Sequence, residues 1–492
     1  TDEQNTSVAL YNYMCQNIVG SEEHVKTIRI MNNVRDNLQS DNRCTLITSG
    51  SVGEGLKLRG SDLDLMKVIK YTKVCEDTNV YFEKTTTYFI VETEDTQPGY
   101  TLLRLVYTNN QQNLNDCEKV ENDYYYSSFS VKQQCASLNF PTVHGPCLTN
   151  KSESCDIAFS LHSKYWIKTA NKWITRSNNS WPGSDVKQSI VAHGVLFVPI
   201  GVKGSTKEEL EWRISFSVGE KLLIYTFTHT QLICYALMKI LLKDVIALDL
   251  DCKELLCSYF IKTVMFWISE EEALCIWKPK NLMSCFMRCF RRLLYCVEYN
   301  VCPHYFIPEN NLFENKIKGN AQAILLNKLN FLNSYGWKCL LLSDQISNFD
   351  AFAYDVTEDP SDTHVRSVKA VFQSIIFLGD HIPWTSTMIL EKVIHKIFSM
   401  KSSKIKHMYI YYMSKLNKYG QFVSFDDKTC NKSRYTQYNT YLRTLLLSTN
   451  HDAVSGWVVL ASFFYKTKQY CKALHILHYS LLNVRRRNSP FQ

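Results

Sequence analysis

Residues 50–66 read GSVGEGLKLRGSDLDLM. The segment opens with the small residues Gly50 and Ser51, a turn at which backbone N–H groups can approach a phosphate and the serine hydroxyl adds a donor. A second Gly-Ser turn then leads into a strand. Because side chains alternate along a strand, Asp62 and Asp64 are expected on one face and the leucines on the other. The pattern predicts a phosphate-binding turn beside a pair of carboxylates.

Two carboxylates on one strand face repel each other unless a cation holds them. Mg²⁺ bound by carboxylates and substrate phosphates meets this need, and a pair of ions requires at least one further ligand. Asp156 is the candidate, because it opens the otherwise apolar strand 155–159. An Asp-x-Asp pair alone is usually only a polar strand face, and Gly-Ser is common in loops. Their combination with a third acid favours a catalytic site that uses two divalent ions.

The composition is that of a globular protein. The chain has 492 residues, of which 45% are hydrophobic and 21% charged, and this length is typical of about three domains. A net charge of +8 helps approach to phosphate-bearing partners without identifying nucleic acid. Eighteen cysteines in a long chain without a recognisable signal segment predict free thiols and a cytoplasmic location. No apolar run approaches the roughly 18 residues that a membrane span needs.

Three parts are predicted along the chain. Strand and helix patterns in residues 1–207 predict an α/β lobe with an N-terminal helical region, and the Asn-rich segment 109–127 is expected to be an exposed insertion. Residues 208–345 are expected to form an all-α lobe, and residues 346–492 a separate helical segment. Within that segment, the spacing of small and large residues over 457–477 resembles a tetratricopeptide-type (TPR-like) hairpin. An ordinary helical hairpin fits equally well.

The Gly-Ser turn followed by Asp62-x-Asp64 resembles the signature of polymerase-beta-type nucleotidyltransferases. Three downstream segments make the chain similar to the family of cyclic GMP–AMP synthase (cGAS) and Mab proteins, in particular the animal cGAS-like receptors. These segments are residues 212–217, 258–263 and 300–313. The resemblance covers roughly residues 20–345, and it implies a polymerase-beta-like α/β nucleotidyltransferase lobe joined to an all-α lobe.

The resemblance also implies roles for individual residues. The acids matching the family's metal ligands are Asp62, Asp64 and Asp156, the first standing where vertebrate members often carry Glu. The residues matching nucleotide-binding positions are Gly50, Ser51, Arg213, Ser215, Lys239, Ser258 and Tyr259. In the family, the tyrosine stacks on a base, the arginine and its neighbouring serine lie near the bases, and the lysine and Ser258 contact the donor triphosphate.

Each of these assignments has a structural alternative. Arg213 could pair with Glu211, Tyr259 could belong to the core, and Lys239 could be a solvated helix lysine.

The chain departs from the DNA-sensing vertebrate enzyme of the family, which carries a zinc-binding insertion of one His and three Cys. Here His229 is followed almost directly by Cys234, so no zinc is expected. This leaves double-stranded RNA, DNA or another ligand open. The candidate ligand surface is a basic cluster, for which a solvated helix face is an equally good interpretation. Its members are Lys278, Lys280, Arg288, Arg291 and Arg292.

The resemblance implies an innate immune sensor that uses two Mg²⁺ or Mn²⁺ ions to join ATP, GTP or other nucleoside triphosphates into a cyclic dinucleotide. The alternatives are a linear product of the same chemistry and a catalytically inactive Mab-type scaffold that binds a nucleotide or a protein. The C-terminal helices suit docking of a protein partner. The sequence leaves the activating ligand, the base choice, the linkage and the oligomeric state open.

Overall fold

The computed structural model describes residues 2–77, 81–176, 181–314, 316–349 and 455–487, with isolated positions between 405 and 449. The chain divides into two compact units, one of Thr1–Arg29 with Ser40–Gln373 and one of Ile30–Gln39 with Ser374–Gln492. The three ranges suggested by the sequence remain a prediction. Across the described residues, every helix is too short or too polar to cross a bilayer.

A mixed sheet organises the first unit. Its strands are β1 Cys44–Ser49, β2 Leu63–Cys75, β3 Thr87–Glu92, β4 Tyr100–Tyr107, β5 Cys117–Val120, β6 Asp123–Tyr126, β7 Thr142–His144, β8 Cys147–Thr149, β9 Cys155–Ser163, β10 Val195–Val198 and β11 Trp212–Ser215. The order is β1-β2-β3-β4-β11-β10-β9-β8-β7, and β2 also pairs with β9. This last pairing is parallel and aligns Asp64 with Asp156. It brings together two acids that are far apart in the sequence.

Strand β11 lies inside this sheet, between β4 and β10, so the sheet continues beyond residue 207. Its Trp212 stacks on Tyr126 with ring centroids 5.3 Å apart, and Tyr126 stacks on Phe89 at 4.5 Å. The indole Nε1 of Trp212 also donates to the carbonyl of Tyr126 at 2.8 Å. Since Tyr126 belongs to β6, the segment 109–127 supplies part of the core. The expectation of an exposed insertion is therefore wrong for this end of the segment.

The α-helices in the described part of residues 2–349 are α1 Asp2–Asn17, α2 Glu22–Gln39, α3 Gly50–Glu54, α4 Gln111–Asn115, α5 Ser128–Cys135, α6 Asn171–Thr175, α7 Ser184–His193, α8 Ser217–Tyr225, α9 His229–Leu241, α10 Ser258–Glu271, α11 Leu282–Glu298 and α12 Asn320–Ser334. Every residue of α9 is buried, and a π-helical turn, Leu242–Ile246, continues it. A helix that is apolar all round is a core element, and α9 also packs against α10 and α11. Every cysteine that the structure describes is a free thiol, as the sequence predicts.

In the second unit, α13 Ser455–Lys466 and α14 Tyr470–Arg487 pack against each other. Leu460, Phe463, Phe464 and Ala473 form a buried apolar cluster. The helical hairpin predicted near the C-terminus is therefore confirmed, while its TPR-like character remains a prediction. Most of the predicted helical segment 346–492 lies outside the described residues.

Candidate active site

A cleft of about 800 Å³ lies in the first unit, lined by the sheet and by helices α3, α8, α9 and α10. All the residues that the sequence analysis assigns to the site line this cleft except Asp156: Gly50, Ser51, Asp62, Asp64, Arg213, Ser215, Lys239, Ser258 and Tyr259. Asp156 is the β9 neighbour of Asp64. The fold thus gathers residues from five separate parts of the sequence.

The acid pair lies where β2 and β9 run side by side. The parallel register places Asp64 opposite Asp156, and strands so paired lie about 4.8 Å apart. The pKa of Asp64 is raised to about 6, mainly by burial and by the charge of Asp156. The charge of Asp62 contributes to this rise, and the charge of Lys262 opposes it. This is the field that a bound divalent cation relieves.

The acids fit a metal ion that is shared with the substrate better than a cage made only of protein. Within the described residues, no group of three His, Cys, Asp or Glu side chains is close enough to hold an ion by itself. Mg²⁺, however, is commonly held by one or two carboxylates, with waters and substrate phosphates completing its shell. The oxygen donors of Asp64, Asp156 and the neighbouring Asp62 suit that arrangement.

The turn between β1 and β2 is shaped by close contacts that only glycine allows. Gly50 has a φ of +59°, and a Cβ there would lie 1.8 Å from Oδ2 of Asp64. A Cβ on Gly53 would lie 2.5 Å from the carbonyl oxygen of Thr48. The turn that carries Ser51 therefore lies directly against Asp64.

Lys239 is buried, with 3% of its surface exposed, so the alternative of a solvated helix lysine is wrong. Its Nζ donates to the hydroxyl of Ser51 and lies 5.2 Å from the ring centroid of Tyr235. The pKa of Lys239 is lowered to about 8, mainly by burial. The charge of Glu54 opposes this fall, and the charge of Lys262 contributes to it. A partly desolvated ammonium beside a serine hydroxyl is a suitable site for a phosphate group.

Arg213 also lines the cleft. Glu211, the alternative partner, accepts instead from the backbone N–H of Val202 at 2.7 Å and from the hydroxyl of Ser205 at 2.8 Å. No ion pair between Arg213 and Glu211 forms within the described residues, and the guanidinium side chain is exposed. It is therefore available to a ligand.

A connected set of polar side chains, here called the Lys262 network, was missed by the sequence analysis. Its members are Glu54, Glu220, Tyr259, Lys262 and His304, all lining the cleft. The ammonium of Lys262 lies 2.6 Å from Oε1 of Glu54 and 3.1 Å from Oε2 of Glu220. Burial lowers the pKa of Lys262, but the two carboxylates outweigh it and the net change is a rise. A charged residue within the apolar run of α10 was the available signal.

The hydrogen bonds fix the tautomer of His304. Its Nδ1 accepts from the backbone N–H groups of Phe306 at 3.2 Å and Ile307 at 3.1 Å. Burial and the charge of Arg213 lower the pKa of His304 to about 3, so the ring is neutral and its proton is on Nε2. That Nε2–H donates to the hydroxyl of Tyr259 at 2.7 Å, and the hydroxyl donates to Oε1 of Glu220 at 3.1 Å.

The basic cluster on α11 and the turn before it is partly neutralised. Arg288 pairs with Glu272, and Arg292 pairs with Glu271 at 2.5 Å. The other members, Lys278, Lys280 and Arg291, are exposed. These three carry most of the charge that the surface can offer to a polyanion.

A serine-bearing turn against an acid pair on a mixed sheet, beside helices that supply a lysine and a tyrosine, defines a nucleotidyltransferase-type domain with a helical part after it. Comparison with known proteins agrees. Residues 111–226 match the Mab-21 protein nucleotidyltransferase domain, and residues 231–331 match the Mab-21 protein HhH/H2TH-like domain. The chain therefore carries matches to both Mab-21 domains and is similar to the cGAS/Mab-type family.

Individual relatives are similar over part of their length. The chain is 29% identical over 203 residues to the cyclic GMP-AMP synthase of Mus musculus. The aligned region covers 37% of this chain and 39% of that protein. The chain is also 23% identical over 175 residues to protein mab-21-like 3 of Danio rerio. That aligned region covers 35% of this chain and 42% of the relative. Both alignments thus span well under half of these relatives.

The two domain matches include only some of the site residues. Asp156, Arg213, Ser215, Lys239, Ser258 and Tyr259 lie within them, whereas Gly50, Ser51, Asp62 and Asp64 precede residue 111. For the turn and the first two acids, the case for a functional role comes from the motif and its geometry.

Proposed function

We propose that this chain is a metal-dependent nucleotidyltransferase that joins ATP, GTP or other nucleoside triphosphates into a cyclic dinucleotide when it senses a ligand. The observation that carries the proposal is the Asp64–Asp156 pair, which is aligned across parallel strands, with Asp64 in contact range of the turn that holds Ser51. Two repelling carboxylates beside a phosphate-binding turn have a clear use in phosphoryl transfer. A purely structural sheet gains nothing from them.

The side chains of the cleft have different roles in the proposed reaction. Ser51 and Lys239 would hold the donor triphosphate, while Arg213 and Tyr259 would orient a base. Asp62, Asp64 and Asp156 would hold two Mg²⁺ or Mn²⁺ ions, which when bound supply Lewis-acid activation and charge neutralisation. Holding both nucleotides in one cleft favours attack of a ribose hydroxyl on the α-phosphate, with pyrophosphate leaving.

The sensing step is supported by the basic cluster and by the family resemblance. The exposed members of the basic cluster, Lys278, Lys280 and Arg291, suit a polyanion such as double-stranded RNA or DNA. Cytoplasmic location and a role in innate immune signalling follow from the resemblance to cGAS-like receptors. Docking of a protein partner on the C-terminal helices belongs to the same proposal.

A catalytically inactive scaffold is the second candidate. It is favoured by the similarity to protein mab-21-like 3 and by the matches to the two Mab-21 protein domains. In that case the cleft would bind a nucleotide without turnover.

Product analysis by chromatography and mass spectrometry separates the two candidates. The purified chain would receive ATP, GTP, CTP and UTP with Mg²⁺ or Mn²⁺, with and without double-stranded RNA or DNA. The control is Asp62→Asn/Asp64→Asn. A cyclic dinucleotide that disappears in the control supports the enzyme, and a linear product would correct only the ring closure. Nucleotide binding without any product supports the scaffold.

A further inference from the structure

We propose that Lys262 and His304 are positioning residues that hold the ring of Tyr259 in one orientation, as a platform for a nucleotide base. The inference rests on the proposed function, because base stacking by Tyr259 comes from the family resemblance. Neither positioning residue needs to touch the nucleotide. They act through the tyrosine hydroxyl.

The hydroxyl of Tyr259 forms a hydrogen bond on each side. It accepts from Nε2 of His304 at 2.7 Å and donates to Oε1 of Glu220 at 3.1 Å. A stacking platform needs only the aromatic face, so two directional bonds at the far end of the ring add orientation rather than contact area. The fixed tautomer of His304 permits only this direction of donation.

Glu220, which is 6% exposed, is itself held in place by Lys262. The ammonium of Lys262 lies 3.1 Å from Oε2 of Glu220, while Oε1 of the same carboxylate accepts from the hydroxyl of Tyr259 at 3.1 Å. The ion pair therefore fixes the carboxylate in the orientation that the tyrosine hydroxyl needs.

The same ammonium also contacts a second carboxylate. It lies 2.6 Å from Glu54, which closes the short helix that carries Ser51. One buried cation thus ties the base platform to the element that would hold the triphosphate. This arrangement would set the distance between base and phosphate before the nucleotide enters.

The test compares Tyr259→Phe, Lys262→Met and wild type in the full-length chain. Phenylalanine keeps the stacking face and removes only the hydroxyl. The probes are 2-aminopurine riboside triphosphate, whose fluorescence is quenched by stacking, and inorganic tripolyphosphate, which has no base. The readout is the affinity for the 2-aminopurine nucleotide divided by the affinity for tripolyphosphate. A general loss of stability or of positive charge weakens the binding of both probes and leaves this ratio unchanged.

The matched control is Arg104→Met. It breaks a partly buried ion pair with Glu92 in the same unit, at 2.5 Å and with side-chain exposures of 29% and 33%, outside the cleft lining. It should lower the melting temperature and leave the affinity ratio unchanged.

We expect the affinity ratio to fall about tenfold in Tyr259→Phe and Lys262→Met, the effect of losing a hydrogen bond to a charged group, with a matching loss of quenching. An unchanged ratio in Tyr259→Phe overturns the inference, and this variant decides alone if Lys262→Met does not fold. A fall of equal size in Arg104→Met also overturns it. Wild type that binds neither probe instead rejects the proposed function itself.

Discussion

Replacing Lys239 with methionine should stabilise the nucleotide-free protein and weaken triphosphate binding at the same time. The side chain is buried, and burial lowers its pKa from 10.5 to about 8. Such a charge is unfavourable in the empty cleft and becomes favourable only when an anion arrives. Methionine fills a similar volume without the charge.

The size of the gain follows from the pKa. A fall from 10.5 to about 8 corresponds to about 3 kcal/mol for the protonated side chain, at about 1.4 kcal/mol per pH unit. Loss of the hydrogen bond to Ser51 costs about 1 kcal/mol. The net gain in the free energy of unfolding is then about 2 kcal/mol, or a rise of about 4 °C in the melting temperature.

The pH dependence has a definite sign. Between about pH 8 and the ordinary lysine pKa, the unfolded chain binds more protons at residue 239 than the folded one does, so wild-type stability rises with pH in that window. Below about pH 8 the penalty is present in full. The advantage of Lys239→Met should therefore be largest at about pH 7 and clearly smaller at about pH 9.5.

Differential scanning fluorimetry at both pH values measures this, with an ATP titration for affinity. The control is Lys243→Met, an exposed lysine whose Nζ lies 3.3 Å from the carbonyl of Gly60, and it should leave the melting temperature nearly unchanged. The reasoning is refuted if Lys239→Met lowers stability equally at both pH values. It is also refuted if ATP affinity is unaffected.

Three further outcomes are expected. Gly50→Ala should lose about 2 kcal/mol of stability, measured by urea denaturation, because Gly50 has a φ of +59° and a Cβ there would collide with Asp64. The control is Gly60→Ala. Gly60 has a φ of +69° but open space around it, so this variant should lose less stability. Asp64→Asn should raise the melting temperature of the metal-free protein, because burial and like charges raise the pKa of this carboxyl to about 6; no rise would argue against repulsion. Arg291→Glu should weaken binding of double-stranded RNA more than Arg288→Glu, since Arg288 is paired with Glu272; equal effects in a salt-dependent titration would contradict this.

The sequence was informative where a local pattern reports local geometry. The Gly-Ser turn, the alternation around Asp62 and Asp64, and the lone Asp156 in an apolar strand were enough to predict the acids and the turn. The register that pairs Asp64 with Asp156 depends on which strands meet across the sheet. Single-strand alternation does not contain that information.

The rest was hidden because it depends on burial and on contacts between distant segments. Lys239 resembled a surface lysine until α9 proved buried on every side. His304 and Lys262 act through Glu220, and their link to Tyr259 appears only when the hydrogen bonds are known. Tyr126 lay in a polar segment whose composition masked its place in the stack with Trp212.

The central claim is that Asp156 completes one metal-binding centre with Asp64, and pyrophosphate release tests it most directly. The assay compares wild type, Asp156→Asn and the exposed-acid control Asp95→Asn, whose side chain is 80% exposed. Each receives ATP and GTP with Mn²⁺, with and without double-stranded RNA or DNA. We expect metal-dependent release by wild type and Asp95→Asn, and a loss of about a thousandfold in Asp156→Asn. Release by Asp156→Asn at the wild-type rate would contradict the account.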